Sequence, residues 1–236
     1  MSGKFRVKLA AAALLLGFTA GLAAAQEPPA VKTDIFPALY EKIRNDADLQ
    51  ALWSACPADI YRSKAAFWVG QIDSFDIAVS ECEADPFACH RACFQGLNEN
   101  ACFSLALALQ RNAEKKFSRY WEAMFARACA AGHDGGCTNR GAGIRNGLYD
   151  DDPFTAKSEI ARNSCLFRTF QASCRAGDAW GCTMHGQSYQ YGEGVPVDRE
   201  KAAEFYRKAC DIHPDFDACD YANQQLQALE APPKTE

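Results

Sequence analysis

In the segment REKAAEFYRKAC, residues 199–210, Ala202, Phe205, Tyr206 and Ala209 recur at intervals of three and four, with charged residues between them. That spacing predicts an amphipathic helix with one buried stripe. Ahead of it, CTMHGQSYQY from Cys182 predicts a first helix and GEGVPVD a turn. Gly192 and Gly194 suit a helix C-cap and the loop beyond it, and the Asp198 carboxylate suits an N-cap that accepts free backbone N–H groups. Together the two helices predict an antiparallel αα-hairpin. KKFSRYWEAMFARAC repeats the helical spacing with Phe117, Tyr120, Trp121 and Phe125, and Phe67, Trp68 and Phe75 follow it upstream. Such stripes are read as packing between hairpins in preference to a ligand groove.

The cysteines turn one hairpin into a series. Cys93, Cys129 and Cys165 stand 36 residues apart, Cys174 and Cys210 are again 36 apart, and the step from Cys137 to Cys182 is 45. A recurring period of this length predicts a solenoid, in which a unit buries its apolar face by stacking on its neighbours. In CAAGHDGGC and CRAGDAWGC the paired sulfurs are eight residues apart, which a continuous helix would hold about 12 Å apart. A disulfide needs Cα atoms within roughly 4.4–6.8 Å, so the chain must double back, and Gly132, Gly135, Gly136, Gly177 and Gly181 permit it. The expected bridges therefore join the end of one hairpin to the start of the next: Cys129 with Cys137, Cys174 with Cys182, Cys93 with Cys102, and Cys210 with Cys219. Cys82 is paired with Cys89 across Pro86. Cys56 and Cys165 are left over, far apart in sequence; an alternative joins Cys165 to Cys174 and displaces Cys182. The nine additional residues near LFRTFQAS, 166–173, predict a longer helix, with a binding protrusion as the other reading.

Composition places the chain. Lys4, Arg6 and Lys8 precede an apolar run from Leu9 to Leu22 and small residues before Gln26, the pattern of a secretory leader cleaved near Ala25 and Gln26. The run is too short to span a bilayer, so no stable membrane insertion is expected. All 12 cysteines follow it, and an even, high count in an exported chain favours disulfides in a periplasmic or secreted protein. Twenty-five basic residues face 30 acidic ones for a net charge of −5. Loss of the three leader bases makes the chain more acidic, which argues against nucleic acid as a partner. The expected organisation is a leader over 1–25, a linker over 26–36, divergent helices over 37–92, repeats with a terminal helix over 93–229 and a disordered tail over 230–236.

The stretch GCTMHGQSYQYGEGVPVDREKAAEFYRKAC, residues 181–210, resembles a Sel-one-like repeat, a relative of the tetratricopeptide repeat. It carries the Gly that ends helix one, the Y-x-x-G-x-G-V turn, D-x-x-K-A and the aromatic before K-A-C. The added cysteines resemble the secreted, cysteine-rich subgroup of that family. CTNRGAGIRNGLYDDDPFTAKSEIARNSC keeps Gly141, Gly147 and Tyr149, whereas 102–129 keeps length and cysteines without the glycines, and 34–92 departs from the pattern. The resemblance implies an all-α, right-handed superhelix that binds another protein or peptide as an adaptor or regulator. It also implies an alternative, since cysteine-rich members of the family are associated with penicillin-type ligands and β-lactamase activity.

Motifs for chemistry are sparse. A serine β-lactamase needs S-x-x-K with S-D-N and K-T-G elements; Ser63 is followed directly by Lys64, and Lys234-Thr235 by Glu236. His90, His133, His185 and His213 are scattered. Cys89, His90 and Cys93 with Cys82 or Cys102 would make a zinc reading, but disulfides use the same cysteines with fewer assumptions. Asp150, Asp151 and Asp152 lack the later Gly and Glu of a calcium loop and read as an acidic turn that caps the next helix. No cofactor, metal or catalytic residue is expected. First helices line the concave face in tetratricopeptide-like superhelices, so the resemblance directs a protein-binding surface to Asn139, Arg140, Arg145, His185, Gln187, Tyr189 and Gln190.

Overall fold

A computed structural model describes residues 35–62, 77–112, 117–147, 152–154 and 156–230, and among these the secondary structure is entirely helical. The leader, most of the linker, Ser63, Lys64, Phe67, Trp68, Phe75, Tyr149, Asp150, Asp151 and the expected 230–236 tail apart from Glu230, which ends the last helix, lie outside the described residues. Helix α1 spans Ile35–Asn45, beginning inside the expected linker because Phe36, Leu39, Tyr40 and Ile43 form a buried stripe at helical spacing. It is followed by α2 (Ala47–Ser54), started by the Asp46 carboxylate accepting from Leu49 N, and by α3 (Pro57–Ile60), a single turn with Pro57 first. Then come α4 (Val79–Ala84) and α5 (Pro86–Gln95), separated by Asp85, whose carboxylate caps α5 through Ala88 N.

From there the chain alternates long helices: α6 (Glu99–Asn112), α7 (Ser118–Ala130), α8 (Asp134–Asn146), α9 (Glu159–Ala176), α10 (Ala179–Tyr191), α11 (Arg199–Ile212) and α12 (Asp217–Glu230). Each packs on the one before it, and α8, α10 and α12 also touch in succession. The predicted hairpin is present as α10 and α11, with Gly192 in the left-handed region at φ 77° and Asp198 accepting from Lys201 N. The buried residues fall into three clusters, the first gathering α1, α2 and α4–α7, the second centred on Cys56, Ile144, Phe154 and Phe170 with Ala58 of α3 against it, and the third on Ala202, Tyr206 and Ala209. Segmented cores of this kind are what a stack of hairpins produces, since each interface is its own small core.

All 12 cysteines are paired. Five bridges are the expected ones, Cys82–Cys89, Cys93–Cys102, Cys129–Cys137, Cys174–Cys182 and Cys210–Cys219, with Cα separations of 4.3–5.5 Å. The sixth joins Cys56 to Cys165 over a sequence separation of 109, so Cys165 does not take Cys174. Nor does Cys165 end a helix: the nine additional residues carry α9 on to Ala176, leaving Cys165 in its middle. The zinc reading falls with these pairings, because Cys82, Cys89, Cys93 and Cys102 have no thiolate to offer, and His90 stacks on Phe94 with ring centroids 4.3 Å apart. No described helix is long and apolar enough to cross a membrane.

Candidate binding surface

The seven residues expected on an open concave face are mostly used within the protein. Arg140, on α8, is fully buried. It gives two hydrogen bonds to Asp152, at 2.6 and 3.0 Å, one to Glu122 at 3.0 Å and one to the Trp53 carbonyl at 3.0 Å. Asp152 is therefore turned inward, and Ser158 caps α9 in place of the acidic turn. A guanidinium with two carboxylates in a dry interior would carry a net negative charge, and burial pushes Glu122 up to about 7, so it holds a proton through the acidic range. Gly143 on α8 makes room for that carboxyl: a Cβ there would stand 2.4 Å from Glu122 Oε2.

His185 on α10 is equally enclosed, at 1 % exposure. Phe167, Tyr189 and Phe205 surround it with ring centroids 4.8, 5.2 and 4.4 Å away, and neither ring nitrogen has a hydrogen-bond partner. Burial, with Arg175, Lys208 and Arg145 nearby, lowers its pKa to about 4. Neither Arg140 nor His185 can reach a partner, and both leave the proposed surface on this ground.

The other five are half-buried, and four of them tie helix to helix. Arg145 on α8 donates to Gln187 Oε1 at 2.8 Å, the Met184 carbonyl at 3.0 Å and Ser188 Oγ at 3.1 Å on α10, and pairs with Glu193 at 2.5 Å. Gln187 continues the ladder by donating to Tyr221 Oη on α12 at 2.7 Å. Gln190 accepts from Tyr206, Tyr189 stacks on Phe205, and Asn139 donates to the Gly135 carbonyl. Polar residues on first helices had looked like partner anchors, yet two of them, Arg145 and Gln187, are rungs between successive first helices.

What covers Arg140 is the N-terminal segment itself. Helix α2 packs on α7, and α3 touches α7, α8 and α9. The segment from Cys56 to Arg62 runs past the turns that join successive hairpins. Ala58 N donates to Thr169 Oγ1 at 3.2 Å, Asp59 pairs with Arg168, Cys129 Sγ lies 3.4 Å from the Pro57 carbonyl, and the Arg62 carbonyl closes on Gly132. Tyr61 faces the start of α8 and α10, where burial and then Asp134 and Asp178 raise its phenol pKa.

Beside this segment is a cavity of about 340 Å³ that sequence reading missed. Its wall is formed by Leu52 of α2, Asp59, Ile60, Tyr61 and Arg62, Leu97 from the α5–α6 turn, and Arg127, Ala130 and Ala131 at the end of α7. Leu97 adopts φ 50° with its side chain 42 % exposed, a left-handed conformation that costs an L residue free energy and is ordinarily left to glycine. Arg127 lies over the Phe94 ring at 5.2 Å, and its Nε is buried without an acceptor. Leu97 follows Gly96 in sequence and invites the reading that the glycine takes the left-handed place, which is why no motif marked the cavity.

No family model, curated protein or solved structure matches this chain.

Proposed function

We propose that this protein acts outside the cytoplasm as a disulfide-bridged helical-repeat adaptor that binds another polypeptide, without catalysis. The observation that carries the reading is the serial packing of hairpins, each stapled to the next by its own bridge. Such a stack is rigid along its length and offers a long surface, which suits recognition of an extended or folded chain. The partial likeness of 181–210 to a Sel-one-like repeat, and a right-handed superhelix with it, belong to the same proposal. Six bridges support export to an oxidising compartment, as does the leader-like start of the sequence.

The test is affinity capture from an extracytoplasmic extract with the oxidised protein, followed by reconstitution with the purified partner and isothermal titration. A saturable one-to-one isotherm is the expected result. Absence of any saturable protein partner, together with turnover of a β-lactam such as nitrocefin by the purified chain, would replace this reading with an enzymatic one.

A further inference from the structure

We propose that the cavity beside Arg127 receives the C-terminal residue of a partner polypeptide, its free carboxylate held by the Arg127 guanidinium and its apolar side chain held by Leu52, Ile60 and Leu97. This rests on the protein-binding reading above and names the group that is bound.

Arg140 has Asp152 and Glu122 as carboxylate partners, and Arg145 has Glu193. Arg127, half-buried in the cavity wall, has no ion-pair partner among the described residues. Asp59, the acidic side chain in the same wall, is already engaged by Arg168. A half-buried guanidinium without its anion is a ready donor, and charge-assisted hydrogen bonds to a carboxylate are the interaction it forms best. Exposed Arg62 at the rim adds a second positive charge.

The remaining wall decides which carboxylate. Leu52, Ile60, Leu97, Ala130 and Ala131 are apolar, so an Asp or Glu side chain would satisfy the arginine and leave most of the wall uncovered. A chain terminus presents a carboxylate and a side chain from one Cα atom, which matches a wall that is cationic on one side and apolar on the other. The volume admits one residue and the peptide leading to it, and the net charge of −5 disfavours polyanions. Leu97 fits this use, since a strained backbone that holds an apolar side chain at a cavity mouth benefits binding at the expense of the fold.

The probe is an array of decapeptides ending in each of the twenty residues, made both as free acids and as C-terminal amides, with affinities for the hits measured by fluorescence anisotropy. Free acids ending in Val, Ile, Leu, Met or Phe should bind, and amidation should weaken them at least tenfold. Arg127→Gln should give a similar loss. Leu97→Gly should weaken binding severalfold while leaving Tm unchanged or higher, which a merely structural Leu97 would not do. Equal binding of acids and amides, or no binding by any peptide, would overturn the proposal. So would competition by N-acetyl-leucine at the affinity of the full peptide, which would make the ligand a small carboxylic acid. If Arg127→Gln captures the natural partner as well as the parent protein does, the cavity assignment fails and the adaptor reading stands. If the array succeeds while no partner is ever captured, the adaptor reading fails instead.

Discussion

At the scale of single residues, the buried polar groups of α7, α8 and α10 set how stability depends on pH. His185 is neutral in the fold, with its pKa lowered to about 4 from the ordinary 6.5. Between those values the unfolded chain takes up a proton that the folded chain refuses, so this contribution is complete above the ordinary value and is lost as pH falls toward 4. The loss at the acid end is on the order of 3 kcal/mol. His185→Phe would match its aromatic surroundings and remove two unsatisfied nitrogens. Its Tm advantage over the parent, read by calorimetry, should widen between pH 8 and pH 5; a constant gap would show that His185 finds a partner. Glu122 has the opposite sign. Its pKa is raised to about 7, so the stability it contributes is present at low pH and is lost as pH rises through 7. Glu122→Gln imitates the protonated form beside Arg140, and its Tm measured against the parent's should move in the variant's favour between pH 5 and pH 8. Neither role could be seen in the sequence, because Arg140 and His185 sit at positions where a tetratricopeptide-like helix would present them to a partner, and the Trp53 carbonyl that meets Arg140 lies 87 residues earlier in the chain.

Helices and turns were more legible. The stripe Ala202, Tyr206 and Ala209 is fully buried, and the spacing of eight or nine between cysteines located four of the turns between hairpins. Local rules suffice there, since caps, glycines and short bridges act within a dozen residues. At one such turn Gly181 lets α10 approach α9 so closely that a Cβ would lie 2.6 Å from Ser173 Cβ and 2.9 Å from Cys174 N. Because one of those atoms is backbone, the helices would have to separate around the Cys174–Cys182 bridge. Gly181→Ala should cost about 1–3 kcal/mol, the range for overpacking a tight interior, and denaturant unfolding would measure it. Gly177→Ala is a useful contrast: its cost would come from φ 100° alone, with nothing within 4 Å of the added carbon. In α9 the nine additional residues near 166–173 form the longer helix expected of them, and no separate protrusion. They are the part of α9 that carries Arg168 and Thr169, the docking points for Asp59 and Ala58.

For the whole molecule, the bridge from Cys56 to Cys165 ties the start of the fold to its middle. It closes a loop of about 100 residues, for which the chain-entropy model gives roughly 4–5 kcal/mol, more than for any of the short staples. Cys56→Ser with Cys165→Ser should therefore lower the urea midpoint more than Cys82→Ser with Cys89→Ser does, and it should increase amide hydrogen exchange over 47–62 before the rest of the chain is affected. Sequence left this pair unresolved, because the periodicity that located the other bridges relates neighbours and is silent about a contact that skips three hairpin turns. The pairing also has a consequence for how the molecule is made. The other five bridges each join cysteines that are consecutive along the chain, while this one encloses three of them. A polypeptide that emerges from its N-terminus and oxidises its thiols in order of appearance would first join Cys56 to Cys82, and the next three pairings, Cys89 with Cys93, Cys102 with Cys129 and Cys137 with Cys165, would be out of step. Correct assembly thus requires Cys56 to wait, or an enzyme to reshuffle the early bond, so production of this protein is coupled to the isomerising capacity of the compartment in which it matures.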